Sequence, residues 1–117
     1  LKVEPVSFRR SSGILDYEGK LLLDTVVENL QRYPNFRIII KGHTSLSGDR
    51  QANLRLSAER AEAVADYLQT SYGMNANRIR AVGFGSSRPL PRLPGESDRS
   101  YAYRLPRVEI ALATEAY

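Results

Sequence analysis

Ile38-Ile39-Ile40-Lys41-Gly42-His43-Thr44-Ser45, then Gly48-Asp49 and Asn53-x-x-Leu56-Ser57-x-x-Arg60-Ala61, is the stretch around which the rest of the chain is arranged. A β-branched apolar run that breaks into glycine and small polar residues before a helical pattern reads as strand, turn and helix. Polar groups then sit at the carboxyl end of a strand, where open α/β sheets bind ligands. The unbroken isoleucines predict a strand over residues 36–41 covered on both faces. Asp49 is placed to cap the helix. Along it Leu54, Ala58, Ala61, Ala65, Leu68 and Tyr72 fall on one face, whose small residues predict close packing, and Asn53, Ser57, Arg60 and Val64 form a stripe beside that face. Gly73 reads as the left-handed residue that ends the helix.

Toward the amino terminus, Asp16 is the expected cap of a helix whose Leu21, Leu22, Leu23, Val26, Val27 and Leu30 make a broad apolar face, stopped at Tyr33-Pro34. Before it, residues 3–8 alternate weakly around Pro5 and read as a short edge strand, with residues 9–13 as a loop. Toward the carboxyl terminus, residues 78–84 and 107–113 alternate as strands. Residues 85–106, rich in Ser, Pro, Arg and Gly, read as a long loop. These elements predict one α+β domain over residues 1–117.

The composition is that of a globular chain: 117 residues, 42% hydrophobic and 26% charged. Its longest apolar runs, residues 21–23 and 38–40, are far too short to span a bilayer, so no direct membrane insertion of this domain is expected. No cysteine is present, which excludes disulfides and thiolate chemistry. The net charge of +4 is spread over arginines interleaved with acids, and no recognition motif accompanies it, so nucleic acid is not an expected partner. The chain opens at Leu1 without an initiator methionine or a signal segment, which leads us to expect a mature fragment or an excised domain of a larger protein.

No paired carboxylates, nucleophile–base pair or cofactor loop emerges, so neither an enzyme nor a cofactor is expected. His43, the only histidine, lacks partner ligands for a metal site and reads as structural. Ser57 has no base spaced to activate it. Asn53 serves equally well as a turn-orienting residue or a ligand contact. Arg60, two turns into a helix beside an alanine face, requires an acidic or carbonyl partner: an internal salt bridge to Asp49 or an anionic ligand.

Gly42-His43-Thr44, Gly48-Asp49, Asn53, Leu56-Ser57, Arg60-Ala61, Val64, Tyr67-Leu68, Arg78-Ile79, Val82-Gly83-Phe84-Gly85, Pro89 and Arg107-Val108-Glu109-Ile110 together resemble the OmpA-like C-terminal domain family. The resemblance runs from about Val6 to Leu112. It implies a β-α-β-α-β core closed by a last strand in a mixed sheet, helices packed on that sheet, and a periplasmic location in a Gram-negative bacterium. It also implies non-covalent binding of peptidoglycan through the diaminopimelate of the stem peptide. In the family, the aspartate after Gly-His-Thr takes the ammonium of that amino acid and the arginine of Leu-Ser-x-x-Arg-Ala takes a carboxylate.

Carried onto this chain, the resemblance implies binding residues Thr44, Ser45, Asn53, Arg60 and Arg107. Ser45 stands at the aspartate position, and Leu105-Pro106 precede Arg107-Val108 where the family shows Asn-Arg-Arg-Val. A hydroxyl does not offset a desolvated ammonium, and loss of a charged partner costs about 2–5 kcal/mol, so Asp49, Glu96 and Asp98 are the candidate replacement acids. The alternative is a degenerate domain serving as a protein–protein or dimerisation module, with self-association or other envelope proteins as partners, through the segment from Arg88 to Arg107.

Overall fold

Asp16 opens the first helix in the computed structural model, which describes residues 6, 8, 9 and 12–113. Its carboxylate accepts the Gly19 N–H at 2.8 Å and so satisfies one of the orphan donors of α1 (Tyr17–Arg32). The strand expected over residues 3–8 lies largely outside the described residues. Within them Val6 is buried, and Phe8 pairs with Leu15 in an isolated antiparallel bridge that folds the chain back on itself before α1.

β1 (Arg37–His43) is the central strand, with β2 (Ile79–Gly83) parallel on one side and β3 (Arg107–Ala113) antiparallel on the other. Between β1 and β2 runs α2 (Arg50–Tyr72), capped by the Asp49 carboxylate on Ala52 N–H at 2.8 Å and ended by Gly73 at φ 64°. This mixed sheet with packed helices is the α+β architecture expected, and each parallel pair needs such a crossover. Ile38 and Ile40 are fully buried, and with Leu23, Leu30, Val64, Leu68 and Ile110 they form the core, each side chain contributing roughly 1.5–3 kcal/mol.

Three sequence expectations are corrected here. Ile39 is only half-buried, so the isoleucine run is covered fully on the α2 side alone. Leu54, assigned to the core face of α2, is exposed, whereas Ser57 and Val64, assigned to the flanking stripe, are completely buried. The helix is rotated because its contact with the sheet is centred on Ser57. Third, the loop over residues 85–106 contains a helix, α3 (Asp98–Arg104), capped by the Ser97 hydroxyl. Seven residues, mostly polar, are too few to show a helical period.

Gly42 and Gly83 face each other across the β1–β2 ladder, and both lie under α2. A Cβ on Gly42 would stand 2.1 Å from the Ser57 carbonyl oxygen, and one on Gly83 would stand 2.4 Å from Ala58 N. The two glycines therefore let the helix backbone rest directly on the sheet. Ser57, wholly buried there, donates its hydroxyl to Leu54 O at 2.8 Å and accepts Gly85 N–H at 2.8 Å, leaving its polar group satisfied.

Elsewhere, Arg78 closes the exposed end of α1. Its guanidinium donates to Leu30 O at 2.7 Å, Tyr33 O at 2.6 Å and Phe36 O at 2.6 Å, supplying donors that Pro34 and the end of the helix withhold. Asp24 accepts the hydroxyls of both Tyr67 and Tyr72, tying α1 to α2.

Gly42→Ala is expected to destabilise the domain by about 3 kcal/mol, because the obstructing atom is backbone and cannot swing aside; urea titration with circular dichroism reads this. Arg78→Lys is expected to cost about 2 kcal/mol and to raise hydrogen exchange in the last turn of α1, since a single ammonium does not span three carbonyls.

Candidate functional site

The turn after β1 is held by backbone before any side chain acts. Phe84 N–H donates to Gly42 O at 2.9 Å and Thr44 N–H to Gly85 O at 2.8 Å, so the β1 turn and the turn after β2 are laced together. Thr44 is buried, and its hydroxyl donates to Ser45 O at 3.3 Å. Ser45 is half-buried, with its hydroxyl 3.2 Å from that of Ser47. Asn53, in the first turn of α2, donates its amide to Ser47 O at 2.9 Å and Ser45 O at 3.5 Å. The structure thus brings Thr44, Ser45 and Asn53 together, with Asn53 acting as a clasp on the turn. A cleft of about 280 Å³ lies alongside, between Arg50, Gln51 and Leu54 of α2 and residues 84–87.

Arg60 lies two turns further along α2, against a different loop. Its Nε donates to Ser12 O at 2.9 Å and its guanidinium sits over the Phe8 ring at 5.1 Å. The salt bridge to Asp49 considered from the sequence does not form, because Asp49 caps the start of α2 and Arg60 lies about three turns, roughly 16 Å, further along it. Among the described residues no carboxylate pairs with Arg60, and neither terminal nitrogen of its guanidinium has a hydrogen-bond partner. Burial lowers its pKa from the ordinary value, but a guanidinium stays charged. The 9–14 loop approaches so closely because Gly13 has no side chain: a Cβ there would lie 2.9 Å from that of Glu59. Gly13 was legible only as a loop residue.

Arg107 is committed inward. It pairs with His43 in the β1–β3 register and donates to Glu109 at 2.7 Å, Leu105 O at 2.7 Å and Arg88 O at 2.9 Å. The two remaining candidate acids are also held. Glu96 takes both Nε and a terminal nitrogen of Arg104, at 2.6 and 2.7 Å, together with Leu93 N–H, and the Arg104 hydrogen bond foremost brings its carboxyl down to about 2. Asp98 pairs with Arg92 at 2.9 Å. Leu105 fills buried space next to this loop. Among the described residues no group of three His, Cys, Asp or Glu side chains is placed to hold a metal, and no helix is long and apolar enough to cross a membrane.

His43 takes the structural place expected at the end of β1. It is buried and stacked on Phe84, with ring centroids 5.5 Å apart, and Arg88 covers the Phe84 ring at 3.9 Å. Among the described residues neither imidazole nitrogen has a hydrogen-bond partner, and the Glu109 carboxylate stands 3.6 Å from Nε2. Burial first, then the charges of Arg107 and Arg88, push the imidazole pKa below its ordinary 6.5, against the opposing pull of Glu109.

The folded state therefore resists a proton that the unfolded chain accepts. The contribution of His43 to stability is present in full above about pH 6.5 and is lost as pH drops below it, by up to roughly 1.4 kcal/mol per unit. Denaturant titrations at pH 7.5 and 5.0 are expected to show this loss in the native chain and not in His43→Phe, which keeps the ring stack.

Against known proteins, residues 7–102 match the OmpA family. The peptidoglycan-associated lipoprotein of Rhizobium meliloti (strain 1021) is 36% identical over 85 residues, covering 73% of this chain and 48% of that protein. The peptidoglycan-binding protein ArfA of Mycobacterium bovis is 37% identical over 89 residues, covering 74% and 26%. The chain spans about half the length of the lipoproteins it matches, or less of other relatives. Among solved structures, a periplasmic domain of Helicobacter pylori MotB superposes with a TM-score of 0.79 at 26% identity, covering 99% of this chain and 82% of that one. The peptidoglycan-associated lipoprotein of Burkholderia pseudomallei gives 0.67 at 28%, covering 96% and 87%. These superpositions extend past the family match to include β3, and on all of these grounds the chain belongs to the OmpA family.

Proposed function

We propose that this domain is a non-catalytic peptidoglycan-binding module that anchors its parent protein to the cell wall of a Gram-negative bacterium from the periplasmic side, through the diaminopimelate of the stem peptide. The observation that carries this reading is Arg60: a half-buried guanidinium, fixed by one carbonyl and one aromatic ring, with no ion-pair partner among the described residues. A cation held in that state is preorganised for a carboxylate, which it can take bidentately. Asn53 clasps the turn that carries Ser45, Thr44 fixes that turn to Gly85, and Arg107 stands opposite His43 in the β1–β3 ladder. The names of the relatives, peptidoglycan-associated and peptidoglycan-binding, support the same reading.

A second reading, a protein–protein or dimerisation module, is favoured by Leu93 and Tyr103, which stand exposed on the otherwise well-tied segment between β2 and β3. Co-sedimentation with purified sacculi separates the two. The native chain is expected in the pellet, and Arg60→Ala, with an unchanged circular dichroism spectrum, is expected to bind at least tenfold more weakly. A native chain that stays in the supernatant and elutes as a dimer would replace the first reading with the second.

A further inference from the structure

We infer that the groove at the amino-terminal end of the β1–β2 pair is a glycan subsite, shaped for an uncharged chain of N-acetylated hexosamines. That this glycan is the wall's own rests on the peptidoglycan reading above; the groove itself is separate from the Thr44 turn and from Arg60.

Two turns form it. Residues 34–37 lead from α1 into β1 and residues 75–78 lead from α2 into β2, and because the two strands run parallel both turns meet at the same end of the sheet. The space between them is about 410 Å³. The Thr44 turn lies at the other end of β1, seven residues or roughly 20 Å away. Two arginines tie the walls together: Arg37 donates to Asn77 O at 3.3 Å, and Arg78 donates to Phe36 O and Tyr33 O at 2.6 Å each. Asn75 folds the second turn by accepting Asn77 N–H on its side chain at 2.9 Å. The groove is therefore shaped by contacts to backbone before a ligand arrives, which lowers the ordering cost of binding.

The lining decides the ligand. The two cations in it, Arg37 and Arg78, are spent on carbonyls, and no carboxylate lines it among the described residues. What remains for a ligand is carboxamide: the side chains of Asn35 and Asn77 stand exposed with no hydrogen-bond partner among the described residues. A carboxamide offers donor and acceptor side by side, which suits sugar hydroxyls and pairs reciprocally with an acetamido group. A phosphate or carboxylate ligand would need an uncommitted cation and an amine would need an acid, and this lining favours neither. Phe36 adds a half-buried ring to the wall, with the Tyr33 ring 5.5 Å from it at 39°. Such a face takes the apolar C–H side of a pyranose while the amides take its polar edge.

Heteronuclear NMR titration with tetra-N-acetylchitotetraose, which carries no stem peptide, tests this. Chemical-shift changes are expected to gather at residues 33–37 and 75–78. Asn77→Ala and Phe36→Leu are each expected to weaken binding at least about fivefold, with the rest of the spectrum in place to show that the fold is kept. Cellotetraose, which has hydroxyls where the acetamido groups stand, is expected to bind at least about fivefold more weakly than the N-acetylated chain. No saturable change, changes gathered elsewhere, binding indifferent to both substitutions, or equal binding of the two tetrasaccharides overturns the inference. Each of these leaves the wall-binding reading intact, because the sacculus experiment reads that through Arg60.

Discussion

The contact between Ser57 and the Gly42–Gly83 pair is the constraint on which the rest of this structure depends. Two strands present hydrogen at the same register, and α2 lies on them at a distance that no side chain would permit. Contact this close normally strands backbone polar groups, but here one buried hydroxyl serves as donor to the helix and acceptor from Gly85. With that point fixed, the azimuth of α2 follows: Ala61, Val64 and Leu68 face the core, Leu54 turns outward, and Asn53 meets the turn after β1. The position of Arg60 is therefore a consequence of how the helix sits on the sheet.

Arginine has two distinct uses in this chain. Arg78, Arg104 and Arg107 each spend several nitrogens on backbone carbonyls or a carboxylate, joining segments remote in sequence, which is what a planar fork of donors does better than an ammonium. A net charge of +4 consequently overstates the cation available to a partner. Arg60 is separated from these scaffold arginines by what it lacks, since one carbonyl and an aromatic face fix its direction without neutralising it. That contrast, more than its place in a sequence pattern, is what supports the role proposed for it.

Much of the scaffold was legible because its elements are long enough for periodicity to speak: α1 with its Asp16 cap, α2 ending at Gly73, and the alternation of β3 all lie where the sequence places them. What was not legible depends on crossings. The exposure of Leu54 and the burial of Ser57 follow from two glycines on two strands, and no helical wheel contains that information. Likewise Arg60 meets Phe8 and Ser12 because a loop 48 residues earlier in the chain crosses α2, with Gly13 as the sole local trace. The short α3 is stabilised by the grip of Arg104 on Glu96, a contact whose partners are separated by a turn of unpredictable geometry. Residues proposed for the site from resemblance thus divide by environment: Thr44, Ser45 and Asn53 share one turn, Arg60 faces a second loop, and Arg107 braces the strand end.

Family membership and ligand chemistry are set by different atoms in this domain. The fold requires Gly42, Ser57, Gly83 and the backbone lacing between the β1 and β2 turns, none of which involves the side chain of residue 45. That side chain is half-exposed, and its hydroxyl lies 3.2 Å from the Ser47 hydroxyl, so its identity is free to vary without disturbing the core. The frame of this turn is therefore set by backbone and buried residues, and the side chain at position 45 can change while the architecture that presents it stays the same.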